Sequence, residues 1–389
     1  MAFVASRRLP LHSNTNALTR ALAASRAAGV PIIDLTESNP TRVGLPYPAG
    51  LLAEMSQPAA LCYEPHPRGL LSAREAIAHD HQRRGAAVDP AHIVLTSSTS
   101  EAYSWLFKLL CNPGESVLVP RPSYPLFEHL TALEGVRAVP YDLEYHRRWD
   151  IDFGSLRDVP SDARAVLVVS PNNPTGSFTS AAELEQLSAI CRRRGLALIA
   201  DEVFADYPLE ASAPLTDIAT RSDVLAFTLA GLSKSVGLPQ VKLGWIAVGG
   251  PAAAREAALS ALDLIADSFL SVGTPVQLAA PELLREGGVV RNAIRARTSR
   301  NLATLRAAAR DCAGCEVLAA EGGWSAVIRV PATRTEEELI LALLEREHIL
   351  VHPGYFFDFP REAYIVVSLL PPESTFADGV ARMLELCNS

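Results

Sequence analysis

Residues 225–249 read LAFTLAGLSKSVGLPQVKLGWIAVG, in which Lys234 lies in a loop between two apolar runs. The runs 225–230 and 243–248 are continuous rather than alternating, which is typical of strands buried on both faces of a parallel sheet. The chain has only three lysines among 35 basic residues. An amine that can lose its proton, unlike a guanidinium, can form an imine with an aldehyde. Lys234 is therefore a candidate nucleophile, and a solvated loop lysine is the alternative interpretation.

Similar patterns continue through most of the chain. The predicted strands are 92–95, 116–119, 136–141, 165–169, 196–200, 225–230 and 243–248. The clearest helix is 181–194, which opens with a capping box at Ser180 and Glu183 and ends before Gly195. The other predicted helices are 13–28, 73–84, 100–110, 260–270 and 289–310. This alternation predicts an α/β fold with a mostly parallel, seven-stranded sheet sandwiched between helices.

The C-terminal third of the chain, about 310–389, has a different pattern. It mixes helices with strands such as 325–330 and 364–368. This mixture predicts a second, smaller α+β domain.

Composition excludes several classes of protein. The net charge is -8 and the pI is about 5.7, whereas a nucleic-acid-binding surface needs clustered basic residues. No apolar run reaches the length of a membrane span, and the N-terminus lacks the apolar segment of a signal peptide. We therefore expect a cytoplasmic protein without nucleic-acid or membrane partners. Cys312 and Cys315 have the spacing of a metal or redox pair, but neither a second pair nor a nearby histidine completes it, so no metal site is predicted.

Polar residues follow several predicted strands at their carboxyl ends, where ligands bind in sheets of this kind. TSSTSE at 96–101 opens a helix and is suited to an anion such as phosphate, although an ordinary helix cap explains it equally well. SPNNPTG at 170–176 is a turn in which Asn173 can present its amide to a ligand. Asp201 ends an apolar strand, where a carboxylate needs a cation or a donor as partner.

Seven segments in this order resemble the fold-type-I pyridoxal-phosphate (PLP) enzymes, the superfamily of aspartate aminotransferase and the class I and II aminotransferases. They are YEPHPRGLLSAREAIA at 63–78, TSSTSEA at 96–102, PRPSYP at 120–125, SPNNPTG at 170–176, DEVF at 201–204, LSKSVGL at 232–238 and HPGYFF at 352–357. The resemblance spans nearly the whole chain. It implies a PLP-binding large domain over 46–280 and a small domain made of both termini, 1–45 and 281–389.

The resemblance also implies roles for individual residues. Lys234 matches the lysine that forms the imine with PLP and moves the proton during transfer. Asp201 matches the partner of the pyridine nitrogen, Asn173 the partner of the phenolic oxygen, and Tyr124 the ring that stacks on the cofactor. The other implied cofactor-binding residues are Ser98, Thr99, Ser100, Ser233 and Lys242. Tyr63 matches the tyrosine that reaches the phosphate in the neighbouring subunit, which implies a homodimer with shared active sites.

The chain departs from the family pattern at the cofactor site in three places. Phe204 stands where a tyrosine usually bonds the phenolic oxygen, so the imine is expected to have a raised pKa. Lys242 replaces an arginine, which loses the bidentate grip on phosphate. Gly231 replaces a hydroxyl residue that often touches the phosphate.

A fourth departure concerns the substrate. The family has an arginine for the substrate α-carboxylate where this chain has Val366. The N-terminal segment lines the substrate pocket in this family, and there Arg42 is the nearest unassigned cation, with Ser38 and Asn39 beside it. A solvated loop arginine explains Arg42 at least as well. We expect weak activity with glutamate, aspartate and alanine, and a preferred substrate that lacks the usual α-carboxylate or has it held by Arg42.

The leading interpretation is an aminotransferase that moves an amino group from a small-molecule donor to a keto or aldehyde acceptor by a ping-pong mechanism. A lyase, decarboxylase or oxidase on the same scaffold is the second, because the cofactor supplies the electron sink in each case. A non-catalytic PLP-binding sensor is the third, but the N-terminal forty or so residues are too short and too weakly basic for its usual DNA-binding module.

Overall fold

The structure is a computed structural model that describes residues 5–9, 16–210 and 218–388. Its helices are α1 (Ala17–Ala27), α2 (Leu71–Arg83), α3 (Thr99–Leu110), α4 (Leu126–Glu134), α5 (Ala181–Arg194), α6 (Leu232–Ser235), α7 (Ala252–Phe269), α8 (Thr274–Glu286), α9 (Gly288–Ala309), α10 (Glu336–Arg346) and α11 (Glu373–Asn388). Its strands are β1 (Ile33–Asp34), β2 (Ile93–Thr96), β3 (Ser116–Arg121), β4 (Arg137–Tyr145), β5 (Trp149–Ile151), β6 (Ala163–Val169), β7 (Ala197–Asp201), β8 (Ala226–Gly231), β9 (Gly244–Gly249), β10 (Glu316–Val317), β11 (Ser325–Arg329), β12 (Ile349–Leu350), β13 (His352–Pro353) and β14 (Tyr364–Ser368).

The large sheet has the strand order β2-β9-β8-β7-β6-β3-β4-β5. All neighbouring pairs from β8 to β4 are parallel, whereas β9 runs antiparallel to β2 and β8, and β5 runs antiparallel to β4. The predicted α/β class and mostly parallel sheet are confirmed. The sheet has eight strands rather than seven, because the three-residue edge strand β5 is too short to form a recognisable pattern.

The continuous apolar runs are explained by burial on both faces of the sheet. In β6, Val166 and Val168 pack with α5 on one face, while Leu167 and Val169 pack with α3 and α7 on the other. Helix α5 has the predicted capping box at Ser180 and ends at Arg194, followed by Gly195 in the left-handed conformation.

A smaller unit combines both ends of the described chain. Strands β10, β11, β14 and β13 form an antiparallel sheet in that order, and β1 near the N-terminus pairs in parallel with β12. Leu18 and Leu35 share one core with residues from α9, α10 and α11. The predicted small α+β domain built from both termini is thus confirmed as part of the fold. The boundaries at 45/46 and 280/281 stay a prediction.

Several helices differ from their predicted bounds. Helix α1 begins at Ala17, and residues 10–15, which include the predicted start, lie outside the described part. Helices α4 and α8 were not predicted. Helix α8 contains Pro281, which removes one backbone donor and interrupts the helical pattern. Within the described ranges, no helix combines the length and the apolar character that a membrane crossing requires.

Candidate active site

The candidate site lies at the edge of the large sheet where the parallel strands end. Thr96 at the end of β2 and Gly231 at the end of β8 both pair with Gly244, the first residue of β9. Asp201 at the end of β7 pairs with Leu229 of β8. This register brings the loops after β2, β7 and β8 to one edge, as expected for ligand binding in an open α/β sheet.

Lys234 lies in α6, a single turn that follows β8 directly. Its Nζ atom lies 5.4 Å from the centre of the Phe204 ring and 4.9 Å from that of the Trp324 ring. Burial lowers the pKa of the Lys234 amine to about 8, against the opposing attraction of the Asp201 carboxylate. About a tenth of this amine is therefore unprotonated at pH 7, far more than for an ordinary lysine, so Lys234 is suited to act as a nucleophile and base.

Asp201 is the last residue of β7 and is only 8% exposed. The Tyr103 hydroxyl donates to its Oδ2 atom at 2.8 Å, and the Val203 amide donates to its Oδ1 atom at 3.1 Å. Burial raises the pKa of this carboxyl, although both donors and Lys234 act in the opposite direction. A further cation beside Asp201 would favour its ionised form. Asp201 was predicted from the sequence but Tyr103 was not, because its only signal was its place within the predicted helix 100–110.

Aromatic rings form a wall beside Lys234. Trp324 contacts Phe204 and Tyr207 edge-to-face, with ring centres 5.3 Å and 5.1 Å apart. All three rings are buried, and they share one apolar cluster with Val43 from the N-terminal segment. From the sequence, Phe204 was predicted only as a departure from the family, and neither Trp324 nor Tyr207 was predicted as a site residue. This wall limits the access of water to the amine.

Asn173 is connected to the small sheet. Its Oδ1 atom accepts a hydrogen bond of 3.2 Å from the Ser325 hydroxyl, next to Trp324 in the chain. This contact occupies the amide oxygen and leaves the amide nitrogen as a donor for a ligand. Asn173 therefore faces the same region as the aromatic wall.

The start of α3 has the features of an anion site. Ser98 is the N-cap, and its hydroxyl accepts from the Glu101 amide at 3.2 Å. Thr99 and Ser100 lie in the first turn, where backbone amides have no acceptor within the helix. The Glu101 carboxylate accepts from the Ser97 amide at 2.6 Å and from the Ser271 hydroxyl at 2.7 Å.

Two of the departures from the family lie close to this helix start. Lys242 is exposed and has φ = 57°. Gly244, two residues later, packs closely against Ser98: a Cβ atom added to Gly244 would lie 3.1 Å from the Ser98 carbonyl carbon. A Cβ atom on Gly231 would lie 3.0 Å from the Leu243 oxygen and 3.1 Å from the Gly244 Cα. The backbone therefore leaves little room for the hydroxyl side chain that the family has at position 231.

Val366 is 1% exposed and packs with Val327, Phe357 and Phe359 in an apolar cluster. This packing offers neither a cation nor a hydrogen-bond donor from the Val366 side chain. The N-terminal segment runs beside the end of β14, the strand that contains Val366. There the Ser368 hydroxyl donates to the Glu37 backbone carbonyl at 2.7 Å. This contact places the neighbouring candidate substrate residues near the end of β14.

The three candidate substrate residues differ in their surroundings. Ser38 and Arg42 are exposed, whereas the Asn39 Oδ1 atom already accepts from the amide and the hydroxyl of Thr41. Within residues 5–9, 16–210 and 218–388, no hydrogen bond or ion pair connects Arg42 to Lys234 or Asp201. Asn39 therefore caps its own turn, and the Arg42 guanidinium can still bind a ligand.

The remaining cofactor candidates differ in exposure. Tyr124, after β3, is 47% exposed, and Tyr63 is 73% exposed. Ser233 lies in α6 immediately before Lys234 and is partly buried. Lys234 thus contacts the aromatic wall, Asn173 bonds Ser325 next to that wall, and the Asp201 charge acts on the Lys234 amine.

The chain is similar in sequence to known aminotransferases. The family model for aminotransferase class I and II matches residues 32–374. The alanine aminotransferase of Mycobacterium tuberculosis is 26% identical over 370 residues, which are 92% of this chain and 86% of that protein. The glutamate-pyruvate aminotransferase AlaA of Escherichia coli is 28% identical over 362 residues, 88% of this chain and 87% of that protein.

A solved structure, the alanine aminotransferase from Pyrococcus furiosus, superposes with a TM-score of 0.86 at 22% identity and covers 98% of this chain and 99% of its own. At this identity the likeness establishes the fold, whereas the family match establishes descent. Because that match extends from the N-terminal segment to the start of the last helix, the chain belongs to the class I and II aminotransferases.

Proposed function

We propose that this aminotransferase binds pyridoxal phosphate and transfers an amino group from a small-molecule donor to a keto or aldehyde acceptor in two half-reactions. The observation that carries the proposal is the pair of Lys234, with a pKa of about 8, and buried Asp201 at one edge of the sheet. A base and a buried carboxylate in this arrangement match the two ends of the cofactor's conjugated ring system.

The residues of the site fit pyridoxal phosphate group by group. The α3 start, with Ser98, Thr99 and Ser100, suits the phosphate. Asp201 suits a protonated ring nitrogen, because a cation there would offset the cost of the buried carboxylate. The Asn173 amide nitrogen suits the phenolic oxygen. The remaining residues proposed to hold the cofactor are Tyr124, Ser233, Lys234 and Lys242.

When bound, the cofactor supplies the electron sink that makes the substrate Cα–H bond acidic. Lys234 would remove that proton and return it at the other end of the conjugated system, a role suited to an amine whose pKa is lowered to about 8. Phe204 and Trp324 would exclude water from this amine. Asp201 would keep the proton on the ring nitrogen.

We further propose a homodimer in which Tyr63 reaches the phosphate bound by the partner subunit. The exposure of 73% in a single chain supports this role, since a side chain that serves a neighbouring subunit must project from its own. The segment 63–67 also lines a small cavity with Trp105 of α3 and with residues 270–272. Tyr63 therefore lies beside the middle of α3 in its own subunit, whereas its proposed role is at the phosphate of the partner.

Replacement of Phe204 by tyrosine is expected to lower the midpoint of the cofactor's pH titration by about one pH unit. The midpoint is the pH at which the absorbance of the bound cofactor changes. A tyrosine hydroxyl would donate to the phenolic oxygen and favour its ionised form, which Phe204 cannot do. The measurement is a pH titration of the cofactor absorbance in Phe204→Tyr and the parent. Phe359→Tyr is the control, because Phe359 is similarly buried beside Trp149, outside the wall. Equal midpoints in Phe204→Tyr and the parent would contradict the proposed contact.

The donor is a narrower question on which two observations disagree. The relatives described above are named for alanine, glutamate and pyruvate, which favours α-amino acids as donors. The apolar packing of Val366 disfavours the usual grip on an α-carboxylate. We propose that the donor either lacks this carboxylate in the usual position or has it held by Arg42.

Half-reaction kinetics test the proposed function and the donor together. Alanine, glutamate, aspartate and amines without a carboxylate are mixed in turn with the parent, with Arg42→Ala and with Arg26→Ala. Arg26 is an exposed arginine of α1 and serves as the control. If Arg42 holds the carboxylate, Arg42→Ala loses about 10-fold or more with amino acids but not with simple amines, in line with the loss of a charge-assisted hydrogen bond.

The other outcomes are equally informative. Conversion of the cofactor to its amine form by any donor supports transfer. Release of ammonia and pyruvate without an acceptor would favour a lyase, and peroxide formation would favour an oxidase. Fast turnover of ordinary amino acids, unchanged in Arg42→Ala, would eliminate both proposals about the carboxylate.

A further inference from the structure

The backbone around Lys234 is held by side chains from distant parts of the chain. The Tyr207 hydroxyl donates to the Lys234 carbonyl and lies 3.3 Å from the Ser235 carbonyl. The Arg291 Nε atom donates to the same Ser235 carbonyl at 2.8 Å. Helix α6 is a single turn of four residues, too short to be stable by itself. These outside donors therefore fix the position of the Lys234 backbone.

Arg291, near the start of α9, is itself fixed by buried carboxylates. It is 4% exposed, and its side chain lies 3.0 Å from Asp80 Oδ1 of α2 and 3.6 Å from Asp206 Oδ2 after β7. Arg83 pairs with the same two aspartates. Rearranging a charge network of this kind costs free energy, because each charge that lost its partner would remain desolvated. The network thus makes Arg291 a rigid donor toward the Lys234 turn.

The residue three positions after Lys234 is held as well. The Tyr47 hydroxyl donates to the Gly237 carbonyl at 2.6 Å. Gly237 has φ = 67°, and an ideal Cβ there would lie 3.0 Å from Val290 and 3.1 Å from the Tyr47 hydroxyl. The turn is therefore enclosed from the N-terminal segment and from α9 at once, which leaves it little freedom to shift.

We propose that Tyr207 and Arg291 are positioning residues, which hold the carbonyls of Lys234 and Ser235 and so set where the Lys234 amine lies between the aromatic wall and Asp201. This inference deepens the proposed function and rests on it, since it assigns these two residues to the lysine that carries the proton. Neither residue needs to touch the substrate. A shift of about 1 Å in a reacting group can reduce a rate by about 100-fold, so the effect of such residues is measurable.

The test compares two buried tyrosines that each donate to a backbone carbonyl. Tyr207→Phe removes the bond to Lys234 and keeps the ring against Trp324. Tyr141→Phe is the matched control, because Tyr141 is 2% exposed and its hydroxyl donates to the Leu167 carbonyl at 2.9 Å, within the sheet. In both proteins the full chain without cofactor is acylated over a pH series, and the extent of labelling at Lys234 is measured by peptide mass spectrometry.

In Tyr207→Phe, the amine is expected to leave its buried position, so the labelling midpoint should rise by about one pH unit above the parent. With cofactor, kcat should fall by about 10-fold or more while KM stays within about twofold. Tyr141→Phe should leave the midpoint, kcat and KM at parent values. Arg291→Lys, which keeps the charge beside Asp80 and loses the Nε donor, should change the midpoint and kcat in the same direction as Tyr207→Phe.

The proposal is overturned if Tyr207→Phe and Tyr141→Phe have the same labelling midpoint and the same kcat. If Arg291→Lys does not fold, the two tyrosine variants decide alone. Failure of the proposed function has a different signature: the parent itself would show no cofactor-dependent transfer, whereas the labelling midpoints of the cofactor-free chain would still report the position of the amine.

Discussion

Lys234→Ala is expected to reduce amino-group transfer by about 1,000-fold or more, because the variant loses both the nucleophile and the proton carrier. The variant should still bind pyridoxal phosphate, since the start of α3, Asp201 and Asn173 are unchanged. Borohydride reduction of the cofactor-bound parent, followed by peptide mapping, should place the label on Lys234. Single-turnover rates and cofactor affinity of the variant complete the measurement.

Lys108→Ala provides the matched control for this experiment. On α3, the Lys108 amine donates to the Ser104 hydroxyl at 2.8 Å, and it pairs with Glu134 at the end of α4. Loss of such a partly exposed ion pair lowers the free energy of unfolding by about 0–1 kcal/mol. It should leave amino-group transfer at the parent rate. A borohydride label on Lys108 or Lys242, or a Lys234→Ala variant that retains the parent rate, would contradict the assignment of Lys234.

The positions of Asp201 and Lys234 could be predicted because Asp201 ends one buried strand and Lys234 comes three residues after another. Such strands are visible in sequence as continuous apolar runs, and here β7 and β8 are buried along their whole length. The rules of parallel sheets then place the residues that follow these runs at one edge. The edge strand β5 and the proline-containing helix α8 lack such a pattern, and both were missed.

The residues that surround Lys234 could not be predicted in the same way. Trp324 comes from the segment before β11, Tyr207 from the loop after β7 and Arg291 from α9, so their contacts with the lysine turn depend on how the two sheets pack. In sequence, Tyr207 and Trp324 resemble ordinary core aromatics, and Arg291 is one of 32 arginines, the 35 basic residues less three lysines. Local patterns contain no information about such distant partners.

The reasons for the departures from the family could not be predicted from the sequence either. The sequence revealed that Gly231 and Val366 differ from the family pattern, but it did not show why. The structure supplies a steric reason for Gly231, where a side chain would bring its Cβ atom within 3.0 Å of a backbone oxygen. For Val366 it supplies an apolar cluster that includes Phe357 and Phe359. Position 366 is therefore part of the core, and the roles of Arg42, Ser38 and Asn39 stay predictions.

Asp201→Asn is expected to reduce the rate of Cα deprotonation by about 100-fold or more, a loss typical of removing one preorganised electrostatic partner. Asparagine keeps the shape of the side chain and can still accept from the Tyr103 hydroxyl, but it lacks the negative charge that would hold a proton on the ring nitrogen. The measurement is the single-turnover rate with a donor that converts the parent. A rate within about tenfold of the parent would show that the charge is not required.

Tyr103→Phe separates the charge of Asp201 from its hydrogen bonding. This variant keeps the carboxylate and removes only the 2.8 Å hydrogen bond, which is worth about 1.5–3 kcal/mol when the acceptor is charged. Without that bond, burial should raise the pKa of the Asp201 carboxyl further, so the rate of Tyr103→Phe should fall mainly at low pH. The rate of Asp201→Asn should be low at every pH, because its amide does not ionise. If both variants lost activity equally across the pH range, the Tyr103 hydroxyl rather than the carboxylate charge would be the essential group, and the proposed role of Asp201 would be wrong.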